Sequence, residues 1–415
     1  FLSADWHAVE NAGYRPVRLS TKADSQVGVF AGITKTGYAL HGVFNNEDGA
    51  RIRPGTSFSS VANRVSHVMD LHGPSMPVDT MCSSSLPAVH QECASLRAGD
   101  CAMALAGGVN LYLHPASYIE LSAAQMLSPG GRCRSFGAGA DGFVPGEGVG
   151  CLLLKPLSHA LADGDHIHAL IRGSAINHVG HTHGYTVPIP DAQRDVVLAA
   201  LDQAGIRAEQ VSCIEAHGTG TELGDPIEVE GLTQAFRQHT DKRAYCALGS
   251  VKSGIGHLEA AAGIAGITKL ILQMQQARYA PTLHADEPNP GIDLADTPFV
   301  LQTSAAPWQP DGPRIAGVSS FGAGGANAHL ILEEWPTTSF AQAPVADPVG
   351  QQPEAILLSA RDPQALRRQA EGLLTWLGQA TASGTDEQAP DELMAALITK
   401  LSGLLAVTPQ DIDPA

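Results

Sequence analysis

The sequence has 415 residues, 44% hydrophobic and 16% charged, a balance that supplies a sizeable core and excludes global disorder. Lys and Arg number 25 against 42 Asp and Glu, a net charge of −17, so no basic face of the kind that binds nucleic acid by counterion release is expected. Apolar runs such as 150–154 fall far short of the roughly 20 residues of a membrane span.

In chain order, residues 1–10 read as the interior of a helix, and a first residue other than Met suggests a piece of a longer chain cut at both ends. From about Val27 to Leu332 short β-rich segments alternate with helices and Gly-rich loops, which argues α/β layers. Strands are predicted at 27–33, 77–80, 103–107, 149–154, 167–176, 212–216, 244–251, 315–319 and 328–332. A helix over 83–98 carries Leu86, Val89, Cys93 and Leu96 on one face, and another over 192–204 carries Val196, Val197, Ala200, Leu201 and Ala204. Asp225-Pro-Ile-Glu228 predicts an acidic N-cap, Pro at the first helical position and Glu three residues after the cap as in a capping box, opening a helix to about Phe236. Residues 258–275 are apolar nearly all round and predict a buried helix. After Glu334 come a Pro-, Ala- and Gln-rich linker, an amphipathic helix over 363–377, a polar linker over 380–390 and a last helix over 391–407 striped by Leu393, Leu397, Leu401 and Leu404. Seven scattered cysteines with no secretory leader predict free thiols in a reducing cytosol. No Gly-Lys dipeptide occurs, which excludes a P-loop.

Four segments carry candidate chemistry. Val78-Asp-Thr-Met-Cys-Ser-Ser-Ser-Leu86 places Cys82 where a strand gives way to a helix, a position that favours a thiolate and predicts a depressed pKa. By itself the segment leaves open a nucleophile or a small buried residue. His217-Gly-Thr-Gly-Thr-Glu-Leu-Gly-Asp225 puts an imidazole and two hydroxyls on a glycine loop at a strand's C-terminal end. A tight turn with a capping histidine is its bland alternative. Val251-Lys-Ser-Gly-Ile-Gly-His257 reads either as a site or as a helix-capping loop with a solvated lysine. Ser319-Ser-Phe-Gly-Ala-Gly-Gly-Ala-Asn327 is a plain turn taken alone, or a loop whose backbone N–H groups approach a ligand as an oxyanion hole requires. Together, one Cys and two His at strand ends read as a nucleophile and two imidazoles converging on one thioester.

These four motifs resemble the condensing ketosynthase family, and most of all the ketosynthase domains of modular polyketide synthases, over about 27–334. The resemblance implies a thiolase-like α/β fold with five layers, α-β-α-β-α, two mixed sheets with pseudo-twofold symmetry, an absent N-terminal part, and a homodimer. It implies polyketide chain elongation, with Cys82 as acyl-accepting nucleophile. His217 and His257 would bind the malonyl thioester carbonyl, with Lys252 orienting the second histidine. Backbone N–H groups of Cys82 and Phe321 would form the oxyanion hole. Thr219, Thr221, Gly322 and Gly324 would line the phosphopantetheine arm of a partner acyl carrier protein. No cofactor is expected in the domain itself. Departures from the family pattern are Gly254 where Asn is usual, Gly137 where Asp is usual, and Met81 where Ala is commoner.

The tail resembles a post-ketosynthase linker over 335–390, followed at 391–415 by the first helix of a carrier domain, with no Gly-x-Ser-x-Gly of an acyltransferase. This predicts a module served by an acyltransferase in trans. Other readings keep the fold: a transacylating, non-extending ketosynthase, or a silent carrier-docking partner. A Cys-His hydrolase would need neither His257 nor the threonines. Three further patterns are set aside: Gly137-Ala-Gly-Ala-Asp-Gly142 as a dinucleotide fingerprint, His178, His181 and His183 as a zinc site, and Asp141 with Glu147 as an acid/base pair. The loop carrying the three histidines is expected to border the substrate entrance.

Overall fold

The computed structural model describes residues 1–16, 19, 26–38, 40–41, 57–336, 358, 360 and 362–382. Residues 1–336 and 337–415 are two separate units. In the second, the predicted helix runs from Pro363 to Ala382, and the expected carrier helix at 391–407 lies outside the described residues.

Twelve strands are described in the first unit: β1 Val27–Gly32, β2 Ser75–Val78, β3 Met103–Asn110, β4 Gly148–Leu154, β5 Ala169–His178, β6 Cys213–Glu215, β7 Cys246–Gly249, β8 Arg278–Tyr279, β9 Phe299–Leu301, β10 Ala306–Pro307, β11 Ile315–Phe321 and β12 Ala326–Glu334. One sheet has the order β2-β1-β3-β4 and a second has β5-β12-β11-β6-β7-β9, while β8 and β10 form a separate pair. Within the first sheet β1 runs parallel to β2 and β3, and β4 is antiparallel. Within the second, β6 is parallel to β7 and β11, and β12 is antiparallel to β11. The pattern β2-β1-β3-β4 is thus repeated by β7-β6-β11-β12, the pseudo-symmetry that the resemblance implies.

Side-chain alternation along the strands builds the layers. In the first sheet Val27, Val29, Met103 and Leu105 face one way, onto Val9 of helix Leu2–Asn11 and Val65 and Met69 of helix Ser59–Met69. Phe30, Ala104 and Ala106 face the other way. There they meet Leu86 and Val89 of helix Ser85–Ala98 and Ile264, Ile267 and Leu270 of helix Ala262–Gln276. The same middle layer receives Ala316, Val318, Ala328 and Leu330 from the second sheet. That sheet's outer face, with Ile214, Leu248 and Ile331, packs on Val197 and Leu201 of helix Pro190–Ala204 and Leu232 and Phe236 of helix Gly224–Arg237. The result is helix, sheet, helix, sheet, helix. Being covered on both faces, β1 and β11 are buried at every residue, as the continuous apolar runs of such strands require.

Some boundaries differ from expectation. The helix after Cys82 starts at Ser85 rather than Ser83. The apolar stretch after His257 opens with a single 3-10 turn, Glu259–Ala261, before the α-helix, and Leu272 on it is 54% exposed.

Candidate active site

The turn between β2 and the following helix is strained and heavily bonded. Met81 sits at φ 60°, in the left-handed region that costs a side-chain-bearing residue about 1–2 kcal/mol. Its N–H donates to Asp79 Oδ1 at 3.0 Å, Thr80 N–H donates to Ser84 Oγ at 3.0 Å, and the Ser84 hydroxyl donates to Met81 O at 2.6 Å. Ser83, Ser84 and Ser85 are fully buried, and the Ser85 hydroxyl accepts Ile264 N–H at 3.1 Å. Cys82 is thereby held at the head of the turn. The glycine loop presses onto it from β11. A Cβ on Gly322 would lie 2.3 Å from Thr80 O, so only glycine permits this approach. Ala323 N–H donates to the Cys82 sulfur.

Cys82 corrects one expectation. Its pKa is pushed up to about 11, first by burial and then by the Glu259 carboxylate, against the opposing pull of Lys252, Ala323 N–H and Lys35. The physical reason is burial, which disfavours the charged thiolate more than its neighbours favour it, while the helix itself begins only at Ser85. Part of its surface remains accessible.

His217 and His257 come together at the C-terminal ends of β6 and β7, with ring centroids 5.4 Å apart, edge to face. Phe321 lies 5.7 Å from His217, and Phe143 4.8 Å from His257. Burial drives both imidazoles well below the ordinary histidine pKa, and the Lys252 cation pushes each further the same way. Both are therefore neutral at pH 7. His257 Nδ1 accepts Glu259 N–H at 3.0 Å, so the ring proton is on Nε2, and this nitrogen is a donor. His217 Nδ1 is buried with no partner among the described residues.

Two carboxylates missed as site residues hold this arrangement. Glu228 accepts the N–H groups of His217 and Gly218, each at 2.7 Å. Asp225 accepts those of Phe136 at 2.7 Å and Gly220 at 3.2 Å. The predicted capping box is therefore absent. The helix starts at Gly224, with Leu223 at the cap, and both acids turn onto neighbouring loops instead. Burial raises Asp225 to about 6 and Glu228 to about 7. Burial lowers the Lys252 pKa, against the opposing charges of Glu215 and Glu228.

Thr219 and Thr221 stand side by side, their hydroxyl oxygens 3.2 Å apart and partly exposed on the His217 loop. Gly324 faces the Tyr185 hydroxyl, which would be 2.9 Å from a Cβ there. His178 accepts Gly180 N–H on Nδ1 and donates from Nε2 to Gly324 O at 2.9 Å, so it braces the glycine loop. Among the described residues no group of three or more His, Cys, Asp and Glu is placed to hold a metal ion. Asp141 accepts Ser128 Oγ–H and Glu147 accepts Tyr112 N–H, so these acids have separate partners. Gly137 pairs with Pro288 in an isolated bridge, Ala138 and Gly139 form a turn, and Gly142 N–H donates to Gly220 O at 3.0 Å, buttressing the His217 loop.

Cys82, His217, Lys252, His257 and the Phe321 loop thus meet where parallel strands end. Residues 1–160 match the family description "Beta-ketoacyl synthase, N-terminal domain", 168–286 match "Beta-ketoacyl synthase, C-terminal domain" and 288–392 match "Ketoacyl-synthetase C-terminal extension". The solved oxazolomycin ketosynthase domain OzmH KS7 from Streptomyces albus JA3453 is 45% identical, with a TM-score of 0.84 over 96% of this chain and 68% of that one. The chain belongs to the beta-ketoacyl synthase family. A second solved relative, the ketosynthase from module 6 of the bacillaene synthase of Bacillus subtilis 168, is 37% identical at TM-score 0.85, covering 97% and 72%. Polyketide synthase PksL of Bacillus subtilis is 48% identical over 92% of this ketosynthase, which spans 9% of that protein. ThaG of Burkholderia thailandensis is 48% identical over 98%, and the ketosynthase spans 8% of it. Among the described residues no helix is long and apolar enough to cross a membrane, and all seven cysteines are free thiols.

Proposed function

We propose that this ketosynthase lengthens a polyketide chain by decarboxylative Claisen condensation. The observation that carries the proposal is the pair of neutral, buried imidazoles 5.4 Å apart beside the Cys82 turn. In the first half-reaction a bond forms between Cys82 Sγ and the acyl carbon, the carrier thioester C–S bond breaks, and the thiol proton passes to the departing pantetheine sulfur. In the second, the malonyl C–CO2 bond breaks and its electron pair delocalises onto the thioester oxygen. His257 Nε2–H, with His217 beside it, donates to that oxygen in a site that excludes water, where a fixed donor contributes most. The enolate carbon then bonds to the acyl carbon, and Cys82 leaves as thiolate.

Carrier-bound malonyl and acyl groups are the proposed substrates. A malonyl-loading acyltransferase acting in trans, a homodimeric assembly and a carrier domain starting at 391–415 complete the proposal. Relatives that are polyketide synthases of more than ten times this chain's length support the carrier partnership. Intact His217 favours extension over simple chain transfer.

The test loads Cys82 with an acyl thioester, adds malonyl carrier protein and follows the β-keto product by mass spectrometry. Product is expected. Acylation without extension would leave only chain transfer, and absence of acylation would overturn both. The variant His257→Ala should keep acylation and lose condensation by at least about a hundredfold.

A further inference from the structure

The Nδ1 partner of His257 is the backbone N–H of Glu259. Glu259 makes this bond while held at φ 41°, a conformation that a residue with a side chain resists, and the flip of the Leu258–Glu259 peptide that would relieve it would also turn the N–H away from the ring. The Glu259 side chain reaches away to a cation and a phenol: Lys35 Nζ and Tyr112 Oη both donate to Oε1. Lys35 also lies 4.5 Å from the centre of the Tyr112 ring. Tyr112 is fixed in turn by its N–H to Glu147 Oε1 at 2.5 Å and by its ring against Tyr118 at 4.9 Å. The Lys35 and Glu259 side chains are 18% and 7% exposed, so their ion pair is largely withdrawn from solvent, where a charge-assisted bond is strong.

We propose that Lys35 and Tyr112 are positioning residues: by anchoring the Glu259 carboxylate they hold the left-handed turn that keeps His257 an Nε2–H donor. Without the anchor Glu259 relaxes to negative φ, its N–H leaves Nδ1, and the ring can take the other tautomer, which presents a lone pair to the developing enolate. This inference rests on the condensation reading above.

The experiment uses the full chain with Cys82 already acylated, so that effects of Lys35 on the thiol do not enter. Single-turnover release of CO2 and formation of β-keto product are followed after addition of malonyl carrier protein. Lys35→Met and Glu259→Ala should each slow both by roughly tenfold or more, a part of what removing a donor costs, and Lys35→Arg should recover most of the rate. Glu259→Gly removes the same carboxylate but makes positive φ easy, so it should retain more activity than Glu259→Ala. In the Glu259→Gly background Lys35→Met should have no further effect. An equal loss from Lys35→Met in both backgrounds would show that Lys35 acts without Glu259 and would overturn the inference. So would unchanged rates in Lys35→Met and Glu259→Ala when the parent chain turns over. A parent chain that releases no CO2 would overturn the condensation reading and this inference together.

Discussion

A protonated thiol and two neutral imidazoles make up the resting site at pH 7, because burial disfavours charge on each of them. The signs fix two pH profiles. Thiolate at Cys82 grows as pH rises toward about 11, so alkylation by iodoacetamide should climb by about tenfold per pH unit between pH 7 and 9, with no plateau. A plateau near neutrality would show a stabilised thiolate instead. The histidines take up protons only as pH falls well below 6.5. Neither imidazole should therefore put a step into condensation on preloaded enzyme between pH 8 and 6; a loss there is expected only from Glu228, raised to about 7, and one that persists in Glu228→Gln would contradict the histidines' neutrality. At this scale Cys82, His217, Lys252 and His257 were legible because each stands in a distinctive glycine- or serine-rich segment at a strand end. Glu228 was not, since Glu three residues after an acidic residue reads equally well as a cap. Lys35 and Tyr112 are ordinary surface types whose roles arise from contacts 224 and 147 residues away in sequence.

Among the elements, two glycines that depart from the family pattern have opposite environments. A Cβ on Gly137 would lie 2.4 Å from His284 O, whereas one on Gly254 would meet nothing within 4 Å. Gly137→Asp should thus force a backbone shift and destabilise the domain by about 1–3 kcal/mol, lowering Tm in thermal unfolding. Gly254→Asn should leave Tm and condensation close to the parent. The reverse pattern would mean that the loops pack differently. The long strands were readable from their apolar runs. β8, β9 and β10 were not, because strands of two or three residues carry no periodicity. The 3-10 turn at Glu259–Ala261 was hidden for a related reason: its cause is the bond to His257, not local propensity.

Across the whole molecule, one helical layer serves both sheets. Ile267 in helix Ala262–Gln276 is fully buried among Phe30 and Ala104 from one sheet and Val318 and Leu330 from the other. Ile267→Ala should cost about 2–5 kcal/mol and shift denaturant unfolding of both halves together, as read by tertiary circular dichroism and by protease protection in each half. Separate transitions would show that the halves fold independently. The layering was anticipated through the resemblance. Apolar periodicity alone shows that a helix is buried, not which two surfaces it lies between.

Cys82 stands on the first sheet's side of that layer and the two histidines on the second's, so the gap that the proposed carbon–carbon bond would span depends on how closely the helices of that layer pack. At Gly263 the two helices approach closely: a Cβ there would come within 2.5 Å of Leu86 Cγ, four residues beyond Cys82. The helix pair works as a spacer gauge: a single methyl group there should change the reach between Cys82 and the imidazoles and so the rate of the proposed condensation.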